Sequence, residues 1–447
     1  MTIRRLVAAG CAALAVTACA SGGASAVPAS ATRVPNEKKT PIAHVVFIIQ
    51  ENRSFNNLFL GYPGATTARY GYDTKGRKIP IHAQNIGSFW DIDHSSTAFF
   101  TACDGRGKVP GTDCKMDGWN NELTSEPAPK DFAYAYVPRN EIKPYWQIAH
   151  QYVLADRMFA SNLDGSFVAH QYDVAAAADR AVDFPALAEW GCEGGPTDTV
   201  PTLTSKRTYG PLIRACFNIP TIAAEADAAG VSWRCYTAAP DEDGGQWSPY
   251  QADREIFRSP DWSADVINPA TQFLSDVGKG ELADVTWITP TWEDSDHPGL
   301  PGSNGPAWVA SLVNAVGTSK FWDSTAIFIM WDDWGGWFDP VQPIYADYDG
   351  LGFRVPLLIV SPYAKRGYVT HVQYETSSVL RYIEDNFDLA PLARSDARAK
   401  DPASDAFDYA RPPRAFKEIG GSKPQSYWTS ERRAFARPGP KTLPGND

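Results

Sequence analysis

The feature that most constrains this chain is a set of short apolar runs bounded by polar or turn residues. They are VVFIIQ (45–50), VLAD (153–156), VSWRCY (231–236), VTWITP (285–290), TAIFIMW (325–331) and VPLLIVS (355–361). Each is too short for an ordinary helix and too continuous to leave one face in water. They therefore predict strands covered on both faces, as in a mostly parallel sheet. Helical spacing appears between them, in NIPTIAAEADAAG (218–230), AWVASLVNAVG (307–317) and SSVLRYIEDNF (377–387). Strands alternating with helices predict an α/β fold with functional groups outside the carboxyl ends of the strands.

The ends of the chain read differently. Residues 1–18 have a basic start, a short apolar core and small residues, the pattern of a secretory signal rather than a spanning helix. VTAC, ending at Cys19, looks like a bacterial lipobox, with an incidental Cys as the alternative. Residues 19–40 read as a flexible tether. A catalytic domain is expected over 41–397, with a cap-like insertion around 183–283, where Gly, Pro and Cys are denser. Residues 398–447 are expected to wrap the surface. Export to the cell surface or periplasm follows from this reading, with any membrane contact made through an N-terminal lipid. The formal net charge of −11, without a basic block, argues against a nucleic-acid partner. An exported chain can form disulfides, and Cys103 and Cys114 flank a short Gly-rich loop. Two of Cys192, Cys216 and Cys235 could form a second bridge; the sequence does not say which.

Two strand ends carry chemistry. VVFIIQ delivers Glu51-Asn52, and TAIFIMW delivers Asp332-Asp333 followed by WGGWFD. If these strands are parallel neighbours, four oxygen-bearing side chains converge. Shielded carboxylates then need a cation or shifted pKa values. Oxygen ligands suit one hard divalent ion such as calcium, magnesium, manganese or ferrous iron. Alternatively, the Asp pair caps a turn and Glu51 pairs with Arg53. In SNLDGSFVAHQYDVAAAA (161–178), Ser166 opens a helix-favouring run, and His170 lies one turn on, on the same face. That hydroxyl is either an N-cap or, beside a metal, a nucleophile. His94 and His297 stand in polar loops, the latter just past a strand, where they could serve a phosphoryl group or a leaving oxygen. His371 is a further candidate, whereas His44, His82 and His150 read as structural.

At these residues the sequence resembles the bacterial phosphoesterase family of non-zinc phospholipases C and related acid phosphatases. The resemblance runs from HVVFIIQENRSFNNLFLGYPG through DIDHS, ASNLDGSFVAHQY, DHPG and IFIMWDDWGGWFDPV to the segment ending near residue 390. It implies an alkaline-phosphatase-like α/β/α sandwich. It also implies a metal held by Glu51, Asn52, Asp332 and Asp333, with Ser166 as nucleophile and metal contact, and His94 and His297 lining the phosphate pocket. The substrate would be a phosphate ester, either a small molecule or a phospholipid. Asp339-Pro340 replaces an Asp-His pair found in many relatives, and Gln373 to Thr376 replaces Gln-Tyr-Asp-His. Ser166 is followed by FVAHQY where many phospholipases have a Pro-Asn run. These departures favour an acid-phosphatase-like phosphomonoesterase over a phospholipase C. A non-catalytic phosphate-binding surface protein is the reading from a different class. The oligomeric state is not legible.

Overall fold

The structure, a computed structural model, describes residues 40–186, 190–299 and 303–430. The leader at 1–18, all but the last residue of the 19–40 tether, and residues 431–447 of the tail lie outside the described residues. The central sheet comprises β1 (His44–Gln50), β2 (Val153–Ala155), β3 (Trp233–Tyr236), β4 (Val266–Ile267), β5 (Val285–Ile288), β6 (Thr325–Trp331), β7 (Leu357–Val360) and β8 (Tyr368–Thr370). Across the sheet the order is β4-β3-β5-β1-β6-β7-β2-β8. Only β7 runs against its neighbours. The protein is thus a mixed α/β fold with a large, mostly parallel sheet. All six apolar runs enter it. The two-residue β4 and the half-exposed β8 had no comparable signal.

The register of the two central strands sets the geometry that follows. β1 and β6 pair from His44–Thr325 to Gln50–Trp331, so they finish level. Both are buried almost throughout, as unbroken apolar runs require. The helices that bear on the site or cover the sheet are α1 (Phe55–Phe59), α2 (Ser96–Cys103), α3 (Lys143–Gln151), α4 (Ser166–Ala175), α5 (Ile222–Ala229), α6 (Gln272–Lys279), α7 (Gly305–Gly317) and α8 (Ser377–Phe387). The 218–230 pattern begins its helix four residues late. Pro220 precedes Thr221, whose side chain caps α5, and Gly230 closes it in a left-handed conformation.

One large core packs around the sheet, including Phe47, Ile48, Trp287, Phe328 and Ile359. A second, aromatic core of Trp119, Trp334, Trp337, Phe338 and Phe353 lies under the segment after β6. The 183–283 stretch supplies β3 and β4 at one sheet edge, and its 190–217 part packs Trp190, Val200 and Phe217 against Phe167 and Val168 of α4. Disulfides join Cys103 to Cys114 and Cys192 to Cys216, leaving Cys235 buried and free. In the tail, Trp428 is buried against Trp308 of α7, with ring centroids 5.0 Å apart. Among the described residues no helix is long and apolar enough to cross a membrane.

Candidate active site

Because β1 and β6 end level, the residues beyond them are stitched together. The Asp332 N–H donates to the Gln50 carbonyl at 2.9 Å, and the Arg53 N–H to the Asp333 carbonyl at 3.1 Å. Asn52 adopts a left-handed φ of 60°, and its N–H donates to Asp332 Oδ1 at 2.8 Å. Gly335 explains part of the WGG turn. Its φ is +60°, its N–H donates to Asp333 Oδ1 at 2.6 Å, and a Cβ there would lie 2.2 Å from the Asn52 carbonyl oxygen. Glu51, Asn52, Asp332 and Asp333 therefore meet at one sheet edge, all at most 1% exposed.

Ser166 joins them from α4, where it is the first helical residue. Gly165 is the N-cap residue, so the hydroxyl is not used for capping. Ser166 Oγ donates to Asp333 Oδ2 at 3.5 Å. Asp164 fixes the approach to this turn: Oδ1 accepts the Ser96 and Gly165 N–H groups, and Oδ2 accepts the Asp183 N–H. The two histidines face the same place. His94 Nδ1 donates to the Ile92 carbonyl at 2.7 Å, while its Nε2 lies 2.6 Å from Asn52 Nδ2 and 3.7 Å from Asp333 Oδ2. His297 Nδ1 faces the Pro298 carbonyl, and its ring centroid is 6.2 Å from that of His94.

Sequence reasoning gave no role to His170 and did not single out Asp173. Ser166, His170 and Asp173 follow i, i+4, i+7 spacing and share one face of α4. That spacing was the available signal. His170 Nε2 lies 3.3 Å from Glu51 Oε1, and Nδ1 lies 3.2 Å from Asp173 Oδ2, yet neither contact is aligned as a hydrogen bond. Ligand atoms of Glu51, His170 and Asp332 lie within 4.8 Å of one another.

The electrostatics fit a cation. Glu51 Oε2, Asn52 Oδ1 and Asp332 Oδ2 are buried and accept no hydrogen bond among the described residues. Burial, then the Asp332 charge, holds the Glu51 carboxyl well above its usual range, and the same causes act on Asp333. Burial opposes a charge on His94, but Asp333 and Asp91 outweigh it and raise its pKa to about 10. A proton on His94 Nε2 would point at the Asn52 NH2 group. A divalent ion beside Asn52 Oδ1 and the carboxylates would remove that conflict by neutralising the charge that holds the proton, leaving neutral His94 to accept from Asn52. His297 differs: burial and the His94 charge push its pKa down to about 3. The residues present fit a divalent metal, with His170 nitrogen added to the oxygen donors.

Other expected groups turn out to be structural. Arg53 spends its guanidinium on the Asp296 and Ile86 carbonyls rather than on Glu51. His371 is largely exposed and holds Asp156 at 2.8 Å.

A sequence model of the Phosphoesterase family matches residues 42–390. Phospholipase C B of Mycobacterium tuberculosis is 24% identical over 441 residues, spanning 85% of this chain and 80% of that one. Non-specific phospholipase C1 of Arabidopsis thaliana is 24% identical over 413 residues, spanning 82% and 71%. Among solved structures, a Vibrio parahaemolyticus protein of the alkaline phosphatase superfamily covers 80% of this chain and 70% of its own at 8% identity, with a TM-score of 0.34.

Proposed function

The chain belongs to the Phosphoesterase family and is a hydrolase of phosphoester bonds; we propose that it works through a phosphoserine at Ser166 and acts on phosphomonoesters. The observation that carries this reading is the meeting of Ser166 with the two strand ends, its Oγ 3.5 Å from Asp333 Oδ2. Glu51, Asn52, Asp332 and Asp333 would hold one divalent ion, with Ser166 Oγ and His170 Nε2 within its reach. When bound, such an ion supplies positive charge that lowers the pKa of a neighbouring hydroxyl and offsets charge on phosphoryl oxygens.

Ser166 stands at the N-terminal end of α4, where backbone N–H groups and the helix dipole favour an anionic phosphoryl group. Its Oγ forms a bond to phosphorus as the bond from phosphorus to the leaving alcohol breaks. His94 and His297 keep Nδ1 on backbone carbonyls, which fixes their rings. The proton that Ser166 Oγ gives up ends on the leaving oxygen, and a neutral imidazole Nε2 can relay it. Water then attacks phosphorus, the bond to Oγ breaks, and Ser166 regains its proton as phosphate departs.

The phosphomonoesterase preference rests on two departures from relatives, Pro340 and Thr376 in place of histidines, and the acidic residues before them serve the fold. Asp339 is tied to Arg354 through two hydrogen bonds of 2.8 and 3.0 Å. Glu375 takes Arg398 and the Ser161 hydroxyl. The rival reading, phospholipase C, has the names of the relatives in its favour. Ser166→Ala should cut turnover by about a thousandfold with the circular dichroism spectrum unchanged; substantial remaining activity refutes the nucleophile. Assays on an aryl phosphate and on phosphatidylcholine vesicles, each with and without chelator, separate the readings. Chelator-sensitive turnover of the lipid alone would overturn the monoesterase preference.

A further inference from the structure

His297 stands in DSDHPG (294–299), and its ring is held by its surroundings. It packs against two indoles, Trp292 with ring centroids 4.3 Å apart and Trp247 at 5.7 Å, the latter stacked at 25°. Nδ1 faces the Pro298 carbonyl, and the backbone N–H donates to Ser295 Oγ at 3.1 Å. The place of the ring is therefore set by the place of its backbone, and the residue before it fixes that backbone. Asp296 is wholly buried. Its Oδ2 accepts the Tyr145 hydroxyl of α3 at 2.8 Å and the Trp331 indole N–H, at the end of β6, at 2.9 Å. Its Oδ1 lies 3.2 Å from Ser303 Oγ. The first residue of α7 comes so close that a Cβ on Gly305 would stand 2.1 Å from that oxygen. The Asp296 carbonyl accepts from Arg53 Nε at 3.0 Å and Nη2 at 2.7 Å, in the segment that follows β1.

We infer that Asp296 is a positioning residue for His297: its carboxyl and carbonyl pin the backbone that carries the ring to α3, α7 and the ends of β1 and β6. Those same two strand ends deliver Glu51-Asn52 and Asp332-Asp333, so one residue sets the imidazole against the rest of the site. The effect on catalysis rests on the proposed phosphoryl transfer, which gives His297 its task; the placement does not. Hydrogen bonds suit this purpose better than packing alone. They are directional, and a shift of the backbone would leave the buried Tyr145, Trp331 and Arg53 donors without acceptors. An amide in place of the carboxyl would keep the arrangement. Its oxygen can accept from Tyr145 and Trp331, and its NH2 can donate to Ser303 Oγ, whose own hydrogen has the Ser295 carbonyl 2.7 Å away. Asp296→Asn therefore removes a charge and keeps the anchor, whereas Asp296→Ala removes both.

The test pairs kinetics on an aryl phosphate with NMR of the histidine rings in the whole chain. His297→Gln assigns the His297 signal, and the exposed His371 serves as a reference that should not move. In Asp296→Ala, kcat should fall about a hundredfold with KM within about twofold, as for a displaced group that contributes to the transition state alone. The His297 signal should move or split. Asp296→Asn should return the signal and bring kcat to within about threefold of wild type, which a general loss of stability would not produce. Tyr145→Phe takes away one donor and leaves the charge; it should displace the His297 signal too, and it decides the matter if Asp296→Ala does not fold. The inference is overturned if the His297 signal stays in place in the folded variants, or if Asp296→Asn restores nothing. If the signal moves while kcat holds, Asp296 positions His297 as inferred, and the part given to His297 in the reaction is what fails.

Discussion

At the scale of single residues, the site is a problem of unpaired oxygen atoms. Burying Glu51, Asp332 and Asp333 at one sheet edge with no cation would cost several kcal/mol per uncompensated charge. His170 is the residue on which this balance turns. It stands between Glu51 and Asp173, both buried, so Asp173 orients the ring and Nε2 faces the oxygen donors. Loss of Nε2 in His170→Ala should lower metal content after dialysis against a chelator-buffered metal series. Asp173→Asn should keep the ion but weaken it by about 10–100-fold, as for other partners that orient a ligand. Elemental analysis gives both numbers without any activity measurement, and full occupancy in His170→Ala at every free-metal level would remove His170 from the ligand set. The carboxylates were legible because each follows an apolar run, where a charge is conspicuous. His170 was marked only by its one-turn spacing from Ser166, which suggests no role until Glu51 and Asp173 are seen around its ring. Arg53 misled for a related reason: its partners are the carbonyls of Ile86 and Asp296, which no pattern in the side chains reveals.

At the scale of elements, α4 must hold Ser166 still while facing the sheet edge. Its second turn is anchored from outside by the hydrogen bond from Tyr172 to the Asp349 carboxyl. Asp349 is 2% exposed, and burial raises its pKa to about 7 despite the Tyr172 hydrogen bond. A carboxyl with a raised folded pKa gives stability that is complete below its unfolded pKa of about 3.9 and is lost as pH rises through about 7. From that shift the loss is at most about 4 kcal/mol between pH 4 and 8. Asp349→Asn removes the titration, so the melting temperature of the variant, relative to wild type, should rise with pH across that window. A constant difference would show that Asp349 does not titrate there. Elements themselves were read unevenly from sequence. Runs such as TAIFIMW gave β6 residue for residue, because continuous burial leaves continuous apolarity. β4 has two residues and β8 is partly exposed, so neither needed such a run. The antiparallel sense of β7 is set by its connections, which apolarity does not record.

At the scale of the whole molecule, the proposed ion would couple to the fold. The proposed ligands come from residues 51–52, 166–170 and 332–333, so an ion bound to them would tie β1, α4 and β6 together and would find no such site in the unfolded chain. An ion at a thousandfold excess over its dissociation constant would add about 4 kcal/mol of stability. Removing it should therefore lower the melting temperature by several degrees at neutral pH, and divalent ions returned one at a time should restore it to different extents. The gap between metal-loaded and metal-free protein should also depend on pH. Glu51 and Asp333 have raised pKa values in the ion-free fold, so that form gains stability as pH falls and they take up protons. The loaded form needs the same carboxylates ionised and releases its ion on acidification. Both effects narrow the gap, which should be widest near neutrality and close toward pH 4. Effects of carboxyls elsewhere cancel in the difference, because both forms share them. Scanning calorimetry of the two forms across that range tests this coupling. Equal melting temperatures at neutral pH, with metal shown to be present in one sample and absent from the other, would mean that the strand ends and α4 meet without an ion holding them.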